Sequence, residues 1–131
     1  MTHSKPLKFP EAFSLKGENV LITGGGTGIG LAVAQAMHEA GARVVLVGRR
    51  EAELAAAVKG LGDSASYVVH DITVYDQASG LVARITKEHG AVTCLVNNAG
   101  MHLKKPAIDT TPEEMQQVMS THIFGAHALS R

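Results

Sequence analysis

The chain contains four short runs of mostly apolar residues, each with valine, leucine or isoleucine at its centre. The runs lie at residues 19–23, 43–47, 66–69 and 93–97. Polar residues do not alternate regularly with apolar ones inside them, and this pattern is typical of parallel strands buried on both faces. The sequence therefore predicts four strands of one parallel sheet.

Segments with helical periodicity follow each of these runs. They are residues 29–40, 51–59, 71–89 and 112–131. Ile29 and Val33 begin the apolar stripe of the first helix. Before the last helix, Thr111-Pro-Glu-Glu114 combines an N-cap threonine, a proline at the first helical position and acids in the first turn. Strands alternating with helices predict an α/β fold: half of a doubly wound parallel sheet, with four strands and helices on both faces.

Length and composition bound the class of protein. A chain of 131 residues with 45% hydrophobic residues is one core-forming domain, which we place at residues 18–131. Residues 1–17, which contain prolines and lysines and end at Gly17, are predicted to be an N-terminal arm. Twelve basic residues are balanced by twelve acidic ones, so no electrostatic excess favours nucleic acid as a partner.

Other features argue against a membrane, a metal and a secretory route. No apolar run approaches the roughly 18 residues that a membrane-spanning helix needs. Cys94 is the single cysteine, and the seven histidines show no spacing typical of metal ligands. The polar N-terminus lacks the apolar core of a signal peptide, so we expect a cytoplasmic protein.

The turn between the first strand and the first helix is rich in glycine. It reads Thr23-Gly-Gly-Gly-Thr-Gly-Ile-Gly30. Glycines allow the backbone to approach a pyrophosphate, and the helix N-terminus behind them offers free N–H groups and a positive dipole end. The spacing of Gly24, Gly28 and Gly30 matches neither the common dinucleotide motif nor a P-loop. An ordinary glycine-rich turn is the alternative interpretation.

Three motifs together resemble the short-chain dehydrogenase/reductase family. They are the T-G-x-x-x-G-I-G turn, the Asn97-Asn-Ala-Gly100 sequence after the fourth strand, and Asp71 after the third. The resemblance covers residues from about 14 to 131 and implies a Rossmann-type fold. It also implies an oxidoreductase that moves a hydride between a nicotinamide and an alcohol or ketone. The cofactor-binding residues that it implies are Gly24, Gly26, Thr27, Gly28, Ile29, Gly30, Asp71, Ile72, Asn98, Ala99 and Gly100.

Two of these residues also have a simpler interpretation. Asp71, which in the family contacts the adenine amino group, is a suitable N-cap for a following helix. Asn98 is of a type that commonly forms turns.

The residues after the second strand predict the choice of cofactor. An acid at this place accepts a hydrogen bond from the ribose 2′-hydroxyl and repels a 2′-phosphate. This chain has Gly48-Arg49-Arg50 instead, and a guanidinium can pair with a phosphate. We therefore predict NADP(H) over NAD(H), with Arg49 as the first candidate for the phosphate and Arg50 as the second. The alternative is a solvated charge pair at a helix start, which the helix dipole disfavours.

The catalytic residues that the family uses are missing from this sequence. They are a serine, and a tyrosine with a lysine four residues later. The only tyrosines, Tyr67 and Tyr75, have no lysine at that spacing. In the family these residues fall beyond the point where this sequence stops, so we expect a chain truncated before that segment. His122 lies where the family has an asparagine that holds a water in a proton relay; it either takes that role or is a packed helical histidine.

The loop at Met101–Pro106 gives a short match to members that resemble gluconate 5-dehydrogenases. There Lys104 or Lys105 would attract a sugar-acid carboxylate, unless they are simply solvated. A reductase of the 3-oxoacyl-carrier-protein type is the other substrate class considered. The resemblance implies a homodimer or homotetramer that uses the helix from Pro112 onward. A non-catalytic nucleotide-binding fragment or pseudoenzyme is the alternative function.

Overall fold

The computed structural model describes residues 10–131. Within this range four parallel strands form one sheet in the order β3-β2-β1-β4. The strands are β1 (Asn19–Thr23), β2 (Arg43–Gly48), β3 (Ala65–Val69) and β4 (Cys94–Val96). β1 lies at the centre, with Leu21 opposite Val45 of β2 on one side and opposite Leu95 of β4 on the other. The predicted α/β fold with a doubly wound sheet is confirmed, and β4 is an edge strand.

Helices and short helical turns connect the strands. The α-helices are α1 (Gly28–Glu39), α2 (Glu51–Leu61), α3 (Ala78–His89), α4 (Pro112–Met119) and α5 (Ala126–Ser130). A π-helical segment, Ser120–Gly125, joins α4 to α5. The 3-10 turns are Glu11–Phe13, Tyr75–Gln77 and Ala107–Asp109. Among residues 10–131, no helix has the length and apolar character that crossing a bilayer requires.

Both faces of the sheet are covered, which explains why the strands are mostly apolar. On one face, Ile22 and Leu46 pack with Leu54 of α2 in a cluster that includes Ala34 of α1. On the other face, Leu21 belongs to a cluster with Ile85 of α3. Successive strand residues point to opposite faces, so each strand contributes to both clusters. The two clusters hold the strand ends in place and so position the loops that follow them.

The predicted arm falls partly outside the described residues, because residues 1–9 are not described. Its later part lies against the domain. The Leu15 N–H donates to the carbonyl of Ala40 at 2.8 Å, just beyond α1. The Leu15 side chain packs on the cluster beneath α1 and α2.

The start of α3 differs from the sequence prediction. The helix expected from residue 71 begins at Ala78, and Gln77 is its N-cap. The Asp71 carboxylate instead accepts from the Thr73 N–H at 2.9 Å and the Thr73 hydroxyl at 2.8 Å. These bonds close a local turn that competes with helix formation. The N-cap interpretation of Asp71 is therefore wrong.

Two further details of the helices were not predicted correctly. Ile29 is 78% exposed, because Gly30 and Ala34 are the α1 residues buried against the sheet. The last helix is also not continuous, since the π-helical segment interrupts it. Such segments occur frequently at functional sites.

The predicted start of α4 is confirmed as a capping box. The Thr111 hydroxyl accepts from the Glu114 N–H at 3.2 Å, and the Glu114 carboxylate accepts from the Thr111 N–H at 2.9 Å. The Lys105 ammonium lies 2.9 Å from the same carboxylate. The hydrogen bond from Lys105, followed by that from Thr111, lowers the pKa of Glu114 below its ordinary value of 4.5.

Candidate functional site

A cleft of about 580 Å³ opens at the carboxyl ends of the strands. Parallel α/β sheets bind ligands at the carboxyl ends of their strands. The binding crevice lies at the point where the next strand along the chain is added on the other side of the first strand. Here that point lies between β1 and β4. Every residue predicted to bind the cofactor, and His122, lines this cleft: Gly24, Gly26, Thr27, Gly28, Ile29, Gly30, Arg49, Arg50, Asp71, Ile72, Asn98, Ala99, Gly100 and His122.

The glycine-rich turn has the properties of an anion cradle. Gly28 has a φ of +57°, and a Cβ built there meets no atom within 4 Å, so the space above the turn is open. Thr27, the N-cap of α1, is extended and its side chain caps no N–H group; the first turn of α1 also contains no acid. The first N–H groups of a helix have no intrahelical partner. Among the described residues, the first N–H groups of α1 therefore remain available to a phosphate.

Gly30 allows the loop after β4 to approach this turn closely. A Cβ on Gly30 would collide with the Gly24 carbonyl and with the Asn98 side-chain amide. That amide donates to the carbonyl of Thr23 at 3.0 Å and to that of Gly24 at 3.2 Å. Asn98 therefore ties β4 to the glycine-rich turn, and its side-chain N–H groups are engaged by the protein itself.

Thr23 lies directly beneath the cleft, although the sequence identifies it only as the start of the glycine-rich turn and assigns it no role of its own. Its side chain is 1% exposed, and its hydroxyl accepts from the N–H groups of Asn98 at 3.1 Å and Ala99 at 3.0 Å. The hydroxyl also lies 3.4 Å from the carbonyl of Val96, to which it donates. The available signal was a polar residue at the end of a mostly apolar buried strand, because buried hydroxyls require partners.

Charged side chains gather where β2 and β3 end. Arg50 Nη2 lies 2.7 Å from the Glu53 carboxylate, whereas Arg49 forms no ion pair among the described residues. Partial burial raises the pKa of Asp71, but the hydrogen bonds from Thr73 and the charge of Arg49 lower it, and the net pKa lies below its ordinary value. Asp71 is therefore a carboxylate at neutral pH, close to Arg49. Glu53 also lines the cleft and was not predicted to do so.

His122 holds the loop after β4 from the π-helical segment. Its Nε2 lies 3.1 Å from the Met101 nitrogen and 2.9 Å from the Met101 oxygen. Nε2 accepts from the Met101 N–H when it carries no proton, and it donates to the Met101 carbonyl when it carries one, so it makes one of these two hydrogen bonds at a time. The ring also lies 2.7 Å from the position that a Cβ on Gly100 would take. The structure thus places His122 against backbone that lines the cleft.

The same segment contacts the turn after β3. A Cβ on Gly125 would lie 2.9 Å from the Ile72 carbonyl. The π-helical segment therefore packs between two loops of the cleft, the one with Ile72 and the one with Met101.

Several other candidates lie away from the cleft. Lys104, Lys105, Tyr67 and Tyr75 are not among the described residues that line it. Lys105 is paired with Glu114, so of the two lysines proposed for a sugar acid this one already has a partner. Within residues 10–131, no group of three histidine, cysteine or acidic side chains is arranged to hold a metal ion.

Comparison with known proteins agrees with the three motifs. The family model described as short chain dehydrogenase matches residues 18–131. The chain belongs to the short-chain dehydrogenase family. The chain spans about half the length of the curated relatives that it matches.

Curated members of the family share more than a third of the aligned residues. Gluconate 5-dehydrogenase of Gluconobacter oxydans is 36% identical over 120 residues, which cover 89% of this chain and 47% of that protein. An NADP-dependent (R)-specific alcohol dehydrogenase of Lentilactobacillus kefiri is 38% identical over 113 residues, covering 85% and 45%.

Solved structures of the family match the fold closely. A 3-ketoacyl-(acyl-carrier-protein) reductase from Brucella melitensis, complexed with NADH, has a TM-score of 0.84 and 34% identity, over 90% of this chain and 49% of that chain. L-Sorbose reductase from Gluconobacter frateurii, complexed with NADPH and L-sorbose, has a TM-score of 0.84 and 28% identity, over 91% and 47%.

Proposed function

We propose that residues 18–131 bind NADP(H) in the cleft and form the cofactor-binding half of an oxidoreductase. This enzyme moves a hydride between the nicotinamide and an alcohol or ketone. The observation that carries the choice of cofactor is Arg49, a cation without an ion-pair partner among the described residues that lines the cleft directly after β2. A guanidinium there attracts a 2′-phosphate, and the residues directly after β2 include no acid of the kind that accepts a hydrogen bond from the ribose 2′-hydroxyl.

The other cofactor contacts are those that the resemblance to the family implies, and the position of each loop supports them. The open space above Gly28 and the uncapped start of α1 suit the pyrophosphate. Asp71 and Ile72, at the end of β3, would contact the adenine. Ala99 and Gly100 would lie beside the ribose, and Asn98 would hold their loop in place through its bonds to Thr23 and Gly24.

The printed names of relatives support a nicotinamide cofactor but include both forms. The alcohol dehydrogenase is NADP-dependent and the sorbose reductase was solved with NADPH, whereas the acyl-carrier-protein reductase was solved with NADH. The preference for NADP(H) in this chain therefore rests on its own Arg49, with Arg50 as a second cation.

We extend the proposal to the substrate, the proton relay and the assembly. The similarity to gluconate 5-dehydrogenase and to a 3-ketoacyl reductase supports a sugar acid or a 3-oxoacyl compound as the substrate. His122 would take the place of the asparagine of the proton relay. Met115 and Phe124, which are 53% and 48% exposed, support a homodimer or homotetramer formed through α4 and the π-helical segment. The free Cys94 fits a reducing cytoplasm.

Nucleotide titration of the purified chain tests the choice of cofactor. Arg49→Ala is expected to weaken NADPH binding by about 10–100-fold, the effect of losing a charged hydrogen bond, and to leave NADH binding within about 2-fold. Arg84→Ala is the matched control, because Arg84 lies on α3, pairs with Glu88 and does not line the cleft. An equal loss of affinity for NADPH and NADH in Arg49→Ala would refute the assignment of Arg49 to the 2′-phosphate.

A nucleotide-binding module without turnover is the second candidate function. It is favoured by His122, which stands where the family has an asparagine and which contacts the Met101 backbone nitrogen at 3.1 Å. Assays of ketone-dependent NADPH oxidation separate the two candidates. Turnover that requires the chain and a ketone excludes the module, whereas nucleotide binding without turnover supports it.

A further inference from the structure

Glu53 introduces a negative charge into a cleft whose proposed ligand is an anion. Its carboxylate lies 2.7 Å from Arg50 Nη2, and its Cβ lies 3.5 Å from the position that a Cβ on Gly26 would take. Glu53 is therefore beside the glycine-rich turn and next to the second of the two arginines. The Arg50 side chain is 70% exposed, so it is free to change partners.

Helix stability alone does not explain this position. Acids in the first turn of a helix favour the dipole, and Glu53 belongs to the first turn of α2. Glu51 has the same advantage two residues earlier, where it faces the Tyr67 hydroxyl at 3.3 Å and does not line the cleft. Of the two glutamates, only Glu53 pairs with an arginine that lines the cleft.

The ion pair with Glu53 limits the ability of Arg50 to bind a 2′-phosphate. A guanidinium that binds a carboxylate at 2.7 Å uses the N–H groups on that side for the carboxylate. A 2′-phosphate would have to displace Glu53 from Arg50 and would also be repelled by the released carboxylate. NADH, which has no 2′-phosphate, avoids this competition.

We propose that Glu53 limits the preference of this chain for NADP(H) by competing with the 2′-phosphate for Arg50. The inference rests on the proposed function, since it requires that the cleft bind a nicotinamide dinucleotide. Arg49 then supplies the preference for NADP(H), and the Glu53–Arg50 pair limits how large that preference becomes.

A double-mutant cycle on the purified chain tests this role. Dissociation constants for NADPH and NADH are measured for the wild type, Glu53→Gln, Arg50→Ala and the double variant. Glu53→Gln keeps the shape of the side chain and removes its charge, so NADPH should bind about 3–10-fold more tightly, and NADH should change less than about 2-fold. In the Arg50→Ala background the same substitution should shift the ratio of the two dissociation constants less, because only the direct repulsion between the carboxylate and the 2′-phosphate remains to be removed.

Glu51→Gln is the matched control. It removes the same charge from the same helical turn outside the cleft, and it should leave the ratio of the two dissociation constants unchanged. The proposal is overturned if Glu53→Gln leaves this ratio unchanged, if Glu51→Gln shifts it equally, or if the shift is just as large without Arg50.

The wild-type titration distinguishes failure of this inference from failure of the proposed function. If the wild type binds neither nucleotide, the proposed function fails and the inference fails with it. If the wild type binds both and the cycle shows no coupling, only the role of Glu53 is refuted.

Discussion

Replacing Thr23 by valine removes one hydroxyl and leaves the shape of the side chain nearly unchanged. The substitution takes away the acceptor that two backbone N–H groups share, those of Asn98 and Ala99. Valine is well suited to a buried strand, so the substitution introduces no clash and no loss of strand propensity. Any effect therefore reports on the hydrogen bonds that join β1 to the loop after β4.

The magnitude follows from the burial of these groups. A buried donor left without a partner costs about 1–3 kcal/mol. Thr23 is 1% exposed, whereas Asn98 and Ala99 are half-buried and water reaches them in part. We therefore expect the two unpaired donors together to cost roughly 2–3 kcal/mol. This is a large fraction of the 5–15 kcal/mol by which a typical domain is stable.

Urea denaturation followed by circular dichroism measures this loss. With a slope of about 1.5–2 kcal/mol per molar urea, the midpoint should fall by about 1–2 M. Hydrogen exchange should accelerate more at the amides of Asn98 and Ala99 than at the amides of β2. Thr86→Val on the exposed face of α3 is the control and should change stability by less than about 0.5 kcal/mol. A loss below about 0.5 kcal/mol in Thr23→Val would show that these bonds do not hold the cleft together.

Three further predictions address the glycine-rich turn, the start of α4 and the loop after β4. Gly30→Ala should destabilise the fold by about 1–3 kcal/mol in the same urea assay because its Cβ meets backbone, whereas Gly80→Ala in α3, which meets no atom within 4 Å, should be neutral or stabilising. The pKa of Glu114 is lowered in the folded state, so its contribution to the free energy of unfolding is present above pH 4.5 and is lost as the pH falls through the lower folded pKa. In Glu114→Gln, a profile of the free energy of unfolding against pH should no longer contain the fall in stability that protonation of Glu114 causes. His122→Ala should increase hydrogen exchange at the Met101 amide about tenfold, equivalent to roughly 1.4 kcal/mol, and an unchanged rate would show that the ring does not hold the loop.

The sequence by itself determined the class of fold and the place of the cleft. The apolar runs and the helical segments between them fix a parallel sheet, because each strand must be covered on both faces. The ends of these strands then identify the loops that carry the glycine-rich turn, Arg49, Asp71 and the Asn97–Gly100 motif. Since parallel strands have all their carboxyl ends at one edge, these loops converge without any knowledge of side-chain positions.

Only the tertiary structure decided which partners the side chains take. Asp71 suits a helix N-cap by residue type, but a bond to Thr73 two residues later gives it a closer partner. Ile29 fits the apolar stripe by spacing, yet it lies beyond the surface that the sheet covers.

The roles of Thr23 and His122 depend on contacts between residues that are far apart in the sequence. Thr23 is bonded to residues some 75 positions away, and His122 to a residue 21 positions away. Glu53 is only three residues from Arg50, but its importance comes from the cleft that other strands build around the pair. Periodicity and residue type report the burial of a segment, whereas hydrogen bonds and ion pairs depend on which distant segments the sheet order brings together.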